Sequence, residues 1–158
     1  MKKTEIKSEF VEYDSASELN SAEQNLIQEA EKAAKDAYAP YSQFKVGAAV
    51  LLADGKIICG SNQENSSYPS GLCAERVALF AASAQHPGVK ISYIAITSSS
   101  QNPAAPCGAC RQVIAEYETL HNYPIGILLM SSSSGKIISA NGIKNFLPMM
   151  FTKKDLGK

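Results

Sequence analysis

Two segments carry residue types that could do chemistry together: Cys73-Ala74-Glu75-Arg76 and, 34 positions further on, Pro106-Cys107-Gly108-Ala109-Cys110. Each begins where a loop gives way to helix formers, so each would set a cysteine at a helix N-terminus. The positive end of the helix dipole and the free backbone N–H groups there stabilise a thiolate. Thiolates bind zinc. Three of them leave one corner of the zinc tetrahedron open, as in a catalytic site that holds water, whereas a structural site closes with four ligands. A carboxylate two positions after Cys73 could face that water and move its proton; an ordinary first-turn Glu would only favour the dipole. Taken singly, C-x-x-C reads as a redox pair, a lone buried cysteine as a small core residue and Glu75 as a first-turn acid. Taken together, the metal reading accounts for all of them. Cys59, the fourth cysteine, has no ligand-type neighbour in its segment and is disfavoured as a fourth ligand.

The elements that must position these residues follow from periodicity and breakers. Leu26, Ile27, Ala30, Ala33, Ala34 and Ala37 fall at helical spacing, which predicts a first helix over Ser21 to Ala37, with Ser21 as cap candidate and Glu23 behind it. Pro40 stops it, and Ala39-Pro40-Tyr41-Ser42 predicts a turn. Val46 to Ala53 is an apolar run, Asp54-Gly55 a hairpin signal, and Ile57-Ile58-Cys59 the returning strand. A helix is expected over Ala74 to Gln85, a buried strand over Ile91 to Thr97, and a loop from Ser98 to Pro106. Then come a helix from Gly108 to Tyr117, strands around Ile125 to Ser131 and Lys136 to Ser139, and a short helix from Ile143 to Leu147. This order predicts an α/β fold, a mixed sheet covered by helices on both faces. Residues 1–20 read as an N-terminal extension and residues 21–158 as a single domain.

Composition narrows the function classes. With 158 residues, 45% hydrophobic and 19% charged, the chain reads as one globular domain. A domain of this size buries roughly 68–70% of its unfolded surface, enough for an enclosed pocket without disulfide staples. Fifteen basic residues balance 15 acidic ones, so there is no basic surface to attract a phosphate backbone, and nucleic acid is not an expected partner. No apolar run is long enough for a membrane span, and the polar start Met1 to Ser8 lacks a signal peptide's apolar segment. The expected location is cytoplasmic, where reducing conditions favour metal binding or catalysis by cysteine over disulfides.

Cys-x-Glu paired with Pro-Cys-x-x-Cys is the three-cysteine form of the zinc nucleobase deaminase signature. The chain resembles the cytidine deaminases, in their small, homotetrameric, free-nucleoside form. The resemblance runs from about Leu26 to Leu156. It includes Tyr38-Ala39-Pro40-Tyr41-Ser42, Phe44-Lys45-Val46-Gly47-Ala48-Ala49, Asn62-Gln63-Glu64-Asn65, Cys73-Ala74-Glu75-Arg76 and Pro106-Cys107-Gly108-Ala109-Cys110-Arg111-Gln112.

The resemblance implies a three-layer α/β/α sandwich with a mixed five-stranded sheet, and zinc-dependent hydrolytic deamination of cytidine and 2′-deoxycytidine to the uracil nucleosides and ammonia. One zinc per chain would be held by Cys73, Cys107 and Cys110 and would activate the attacking water. Glu75 would take that water's proton, pass it to ring N3 and finally protonate the departing amine. Three thiolates give the site a formal charge of minus one, and Arg76 would offset it by donating to the sulfurs, with Arg111 as further support. Asn62 and Glu64 match the positions that grip the ribose hydroxyls, which need both acceptors and a donor. Phe44 matches a pocket-wall aromatic, and Ala74 would offer backbone groups to the base. Phe151 matches a C-terminal aromatic that reaches a neighbouring subunit's pocket, implying a homotetramer with shared active sites. Out of context these would be two loop polars, a core phenylalanine and a solvated helix arginine.

Residues 1–20 extend beyond the family's usual start, and Pro69-Ser70-Gly71-Leu72 departs from its commonest loop. Among rival readings, a deaminase of a cytosine nucleoside antibiotic shares the zinc motif, but the carboxylate at Glu64 suits an ordinary ribose. A phosphate-bearing substrate would want Arg or Lys where Ser66, Ser67 and Tyr68 stand. A polynucleotide-editing deaminase is disfavoured by the neutral charge. A purely structural zinc module predicts a closed four-ligand site and no dependence on Glu75.

Overall fold

The structure, a computed structural model, describes residues 1–157 of the chain. In chain order it contains β1 (Val11–Tyr13), α1 (Ser21–Lys35), β2 (Val46–Leu52), β3 (Ile57–Ser61), α2 (Ala74–Gln85), β4 (Ile91–Ser98), α3 (Gly108–His121), β5 (Gly126–Ser131) and β6 (Ile137–Asn141). The strands form one sheet in the order β1-β6-β5-β4-β2-β3, in which β4 and β5 run parallel and the other pairs antiparallel. The mixed sheet between helices matches the expected α/β sandwich, but it has six strands rather than five. The additional one is β1, which pairs Val11 to Tyr13 with Ser139 to Ile137 on the open edge of β6. Its three residues lie in a polar stretch too short for a strand pattern to stand out.

Side-chain alternation along the central strands separates two cores. Ala48, Val50, Ile94, Ile96, Ile127 and Leu129 face α2 and α3, while Ala49, Ala95 and Leu128 face Leu26, Ile27 and Ala30 of α1. These strands are apolar on both faces because helices cover both, as a central strand in a three-layer fold requires. The helix cap differs from the expectation: Asn20, not Ser21, caps α1, its Oδ1 accepting from the Glu23 N–H at 3.0 Å while Glu23 accepts from the Asn20 N–H. α1 ends at Lys35, two residues early, and α3 continues to His121, past the expected Tyr117. The short helix expected over Ile143 to Leu147 is a single 3₁₀ turn, Ile143–Asn145.

Two glycines set how closely the helices approach the sheet. A Cβ at Gly60 would stand 2.5 Å from the Ala78 nitrogen and 2.8 Å from the Ala74 oxygen, so the bare backbone of β3 is what lets the N-terminal half of α2 settle beside it. At Gly47 a Cβ would fall 2.0 Å from the Ala30 oxygen and 2.5 Å from the Ala34 nitrogen. Both obstacles are helix backbone and cannot swing aside. Gly47→Ala is therefore expected to lower stability by about 3 kcal/mol, at the upper end of ordinary overpacking, read from the midpoint of a urea titration. A loss under about 0.5 kcal/mol, the range of indifferent surface changes, would contradict this packing.

Candidate active site

Cys73 is the N-cap residue of α2 and Cys107 that of α3, with Cys110 in the first turn of α3. Neither cysteine caps through its side chain, so the sulfurs stay free to turn toward one another. The Cys73 and Cys107 sulfurs lie 3.7 Å apart, those of Cys107 and Cys110 3.4 Å apart, and all three are mutually within 4.8 Å. Three sulfurs at about 2.3 Å from one zinc in a tetrahedron would stand about 3.8 Å apart. The cluster thus fits that ion, with the fourth corner left to a non-protein ligand. Among the described residues it is the only such grouping of candidate ligands. Cys59 lies elsewhere, its sulfur 3.9 Å from the Glu29 carbonyl on α1, and burial raises its thiol pKa.

The electrostatics of the cluster favour a thiolate at Cys73. The Cys73 thiol is held down to about 5, chiefly by the Cys110 thiol and next by Arg76, against the opposing cost of burial. Cys110, as the partner that keeps its proton, is pushed up by its interaction with Cys73 and by burial. Arg76 donates from Nη2 to the Cys73 sulfur at 3.7 Å, and its buried Nε has no protein partner. A guanidinium directed at sulfur in this way would offset the excess negative charge that three thiolates carry around a bound zinc.

Glu75 follows on the first turn of α2 and is only 4% exposed. Burial is the main cause that raises its carboxyl pKa, and the negative charge developing at Cys73 adds to it. Ala74 is fully buried and lies outside the cleft lining, next to Cys73.

A cleft of about 580 Å³ opens beside Cys73 and Arg76, lined also by Tyr41, Asn62, Glu64 and Tyr68. Asn62 and Glu64 are both engaged with the segment between α1 and β2. Asn62 accepts the Val46 N–H at 2.8 Å and donates to the Phe44 carbonyl at 2.9 Å. Glu64 accepts the backbone N–H groups of Tyr41 and Ser42 at 2.8 and 3.2 Å and the Ser42 hydroxyl, which is the main reason its pKa is lowered. Each still has capacity to spare: Asn62 keeps one N–H and one lone pair, and Glu64 keeps lone pairs on its carboxylate. Phe44 is partly exposed at the end of the same segment, outside the cleft lining. Phe151 stands 58% exposed, its carbonyl accepting from Gln112 of α3 at 2.8 Å, and does not enter its own chain's cleft.

Some residues that shape the site were not singled out from the sequence. Tyr41 and Tyr68, with ring centroids 6.2 Å apart, flank the cleft mouth. Glu118, near the C-terminal end of α3, accepts the N–H groups of Ile125 and Ile143 at 2.9 and 2.8 Å and so fastens the metal helix to the chain's C-terminal turn. The available signal was an acidic residue near a helix C-terminus, where the dipole disfavours it and some local donor must compensate.

Comparison with known proteins agrees with this geometry. Residues 20–126 match the family model described as the cytidine and deoxycytidylate deaminase zinc-binding region. A cytidine deaminase of Sporosarcina psychrophila is 42% identical over 134 residues, covering 84% of this chain and 93% of that protein. One from Halalkalibacterium halodurans is 50% identical over 93 residues, 59% of this chain and 70% of that protein. The crystal structure of cytidine deaminase from Burkholderia pseudomallei superposes with a TM-score of 0.72 at 42% identity, covering 80% of this chain and 97% of that one. Similarity over most of both chains, joined to three cysteines gathered at two helix N-termini, makes this chain a member of the cytidine and deoxycytidylate deaminase family.

Proposed function

We propose that this protein is a zinc-dependent cytidine deaminase, which hydrolyses cytidine and 2′-deoxycytidine to uridine and 2′-deoxyuridine with release of ammonia. The observation that carries the reading is the cluster of three cysteine sulfurs next to the buried Glu75 carboxylate, with Cys73 and Arg76 lining a nucleoside-sized cleft. Zinc held by Cys73, Cys107 and Cys110 would supply Lewis acidity that makes a water nucleophilic near neutral pH.

The chain's own groups then account for the proton traffic. The Glu75 carboxylate takes the proton of the attacking water as the C4–O bond forms. It delivers that proton to ring N3, then takes the remaining proton from the C4 hydroxyl and gives it to the amine as the C4–N bond breaks and the C4 carbonyl forms. A general base needs a pKa closer to the operating pH than an exposed Glu has, and burial moves Glu75 in that direction. Arg76 steadies the sulfur charge from its place one turn above Cys73. Asn62 and Glu64 grip the ribose with the capacity their contacts to residues 41–46 leave over, so the same two side chains shape the cleft wall and bind sugar. The Ala74 backbone meets the base and Phe44 packs beside it.

Phe151, exposed and held by Gln112, reaches the pocket of a neighbouring chain in a homotetramer. No helix among the described residues is long and apolar enough to cross a membrane, and we place the enzyme in the cytoplasm, in pyrimidine salvage.

One preparation tests the reading. Cytidine and deoxycytidine incubated with the purified protein should lose their cytosine absorbance band, zinc should be near one per chain, and light scattering should give four chains per particle. Unchanged absorbance with zinc bound would overturn the substrate and return the structural-module or modified-nucleoside reading.

A further inference from the structure

Residues 1–20 have no part in the proposed reaction, yet their contacts end one step from the metal ligands. The Glu9 N–H donates to Asn145 Oδ1 at 2.9 Å, and the Phe10 ring meets the Phe146 ring edge-on with centroids 5.0 Å apart. Asn145 is buried and both of its amide N–H groups are committed, since Nδ2 also donates to the Asn141 and Gly142 carbonyls at 2.9 and 3.2 Å. Next along the chain, the Phe146 carbonyl accepts from Arg111 Nη1 at 3.1 Å. The same guanidinium donates through Nε to the Pro106 carbonyl at 2.7 Å, and Pro106 immediately precedes Cys107.

We propose that the N-terminal segment around Phe10 is a positioning strap for the ligand loop Pro106–Cys107, acting through Asn145–Phe146 and Arg111, and that it sets how long the cysteine cluster retains zinc. This rests on the zinc reading of the cluster. Arg111 is a rigid planar fork that bridges two carbonyls, so the position of Pro106 depends on where Phe146 is held. Phe146 is held by an aromatic partner and by its neighbour Asn145, both tied to residues 9 and 10. β1 pairs over only three residues at a sheet edge, too little to fix the segment by itself, which gives the contacts at 145 and 146 their weight. The competing account is that β1 merely covers the β6 edge against pairing with other chains. That role would affect thermal stability and aggregation but not the metal.

The test follows zinc transfer from the full-length protein to a chromogenic chelator, with zinc content and melting temperature measured on each sample. Phe10→Ala is expected to speed release by about 3- to 10-fold, below the roughly 10- to 100-fold typical of groups touching a metal ligand directly. Phe10→Tyr, which keeps the ring, should restore the original rate. Tyr13→Ala removes a side chain of β1 that packs on the other core, and should lower the melting temperature while leaving release within about twofold. Arg111→Lys loses the fork, and adding Phe10→Ala to it should give no further acceleration, because both changes cut the same chain of contacts. Release from Phe10→Ala within twofold of the unmodified protein, or effects of the pair that multiply, would overturn the strap while leaving the metal site standing. An unmodified protein without zinc would overturn the metal reading and the strap with it.

Discussion

Replacing Glu75 by Gln is expected to cut kcat for cytidine by about 10⁴-fold, the upper end for a single acid–base group, because in the proposed mechanism one carboxylate serves both the attacking water and the leaving amine. Gln keeps the shape and can accept a hydrogen bond, but it cannot take and return a proton. Folding should not suffer. Glu75 is 4% exposed, and burial already works against its charged form, so a neutral amide removes a desolvation cost that the ionised side chain carries. The variant should keep zinc near one per chain and a melting temperature no lower than before. Steady-state rates from cytosine absorbance, with metal content on the same sample, check it. Turnover retained within tenfold would remove Glu75 from the chemistry and leave the carboxylate as a first-turn dipole partner only.

The second large effect is expected at Cys110. Its sulfur is buried in the first turn of α3, and the sulfurs of Cys73 and Cys107 converge with it. Cys110→Ser puts a shorter, harder hydroxyl where a thiolate is needed and leaves two thiolates, so zinc affinity should fall by more than the roughly 10- to 100-fold seen for outer partners. Activity should drop to background, and added zinc should not restore it. Unmodified protein stripped by a chelator should also lose activity but regain it with zinc, which separates loss of the ion from loss of the ligand. Cys59→Ser is the internal comparison: that thiol faces the Glu29 carbonyl of α1, away from the cluster, and its replacement should leave zinc content unchanged. Zinc near one per chain in Cys110→Ser would contradict the three-thiolate assignment.

Local signals explain what could be read in advance. The proposed ligands and Glu75 stand in two short motifs, each confined to the cap and first turn of one helix, so their identities survive any error in the rest of the chain. Helix α1 announced itself by apolar spacing and the β2–β3 hairpin by Asp54-Gly55, both decided within a few residues. The cap moved to Asn20 because Ser21 and Asn20 compete for one position and only geometry distinguishes them.

What the amino-acid sequence by itself determined is the chemistry: which cysteines can hold zinc, which acid can move protons, and which family pattern unites them. What only the tertiary structure decided is how distant pieces hold that chemistry in place. The fastening of Asn62 and Glu64 to residues 41–46, the Glu118 hold on Ile125 and Ile143, and the Arg111 bridge from Pro106 to Phe146 join backbone groups to side chains 5 to 35 positions apart. The sixth strand joins β1 to β6 across more than 120 residues. Backbone donors and acceptors are the same in every residue, so no residue type records which of them a remote side chain will satisfy; that is settled only when the packed layers bring the groups within hydrogen-bonding distance.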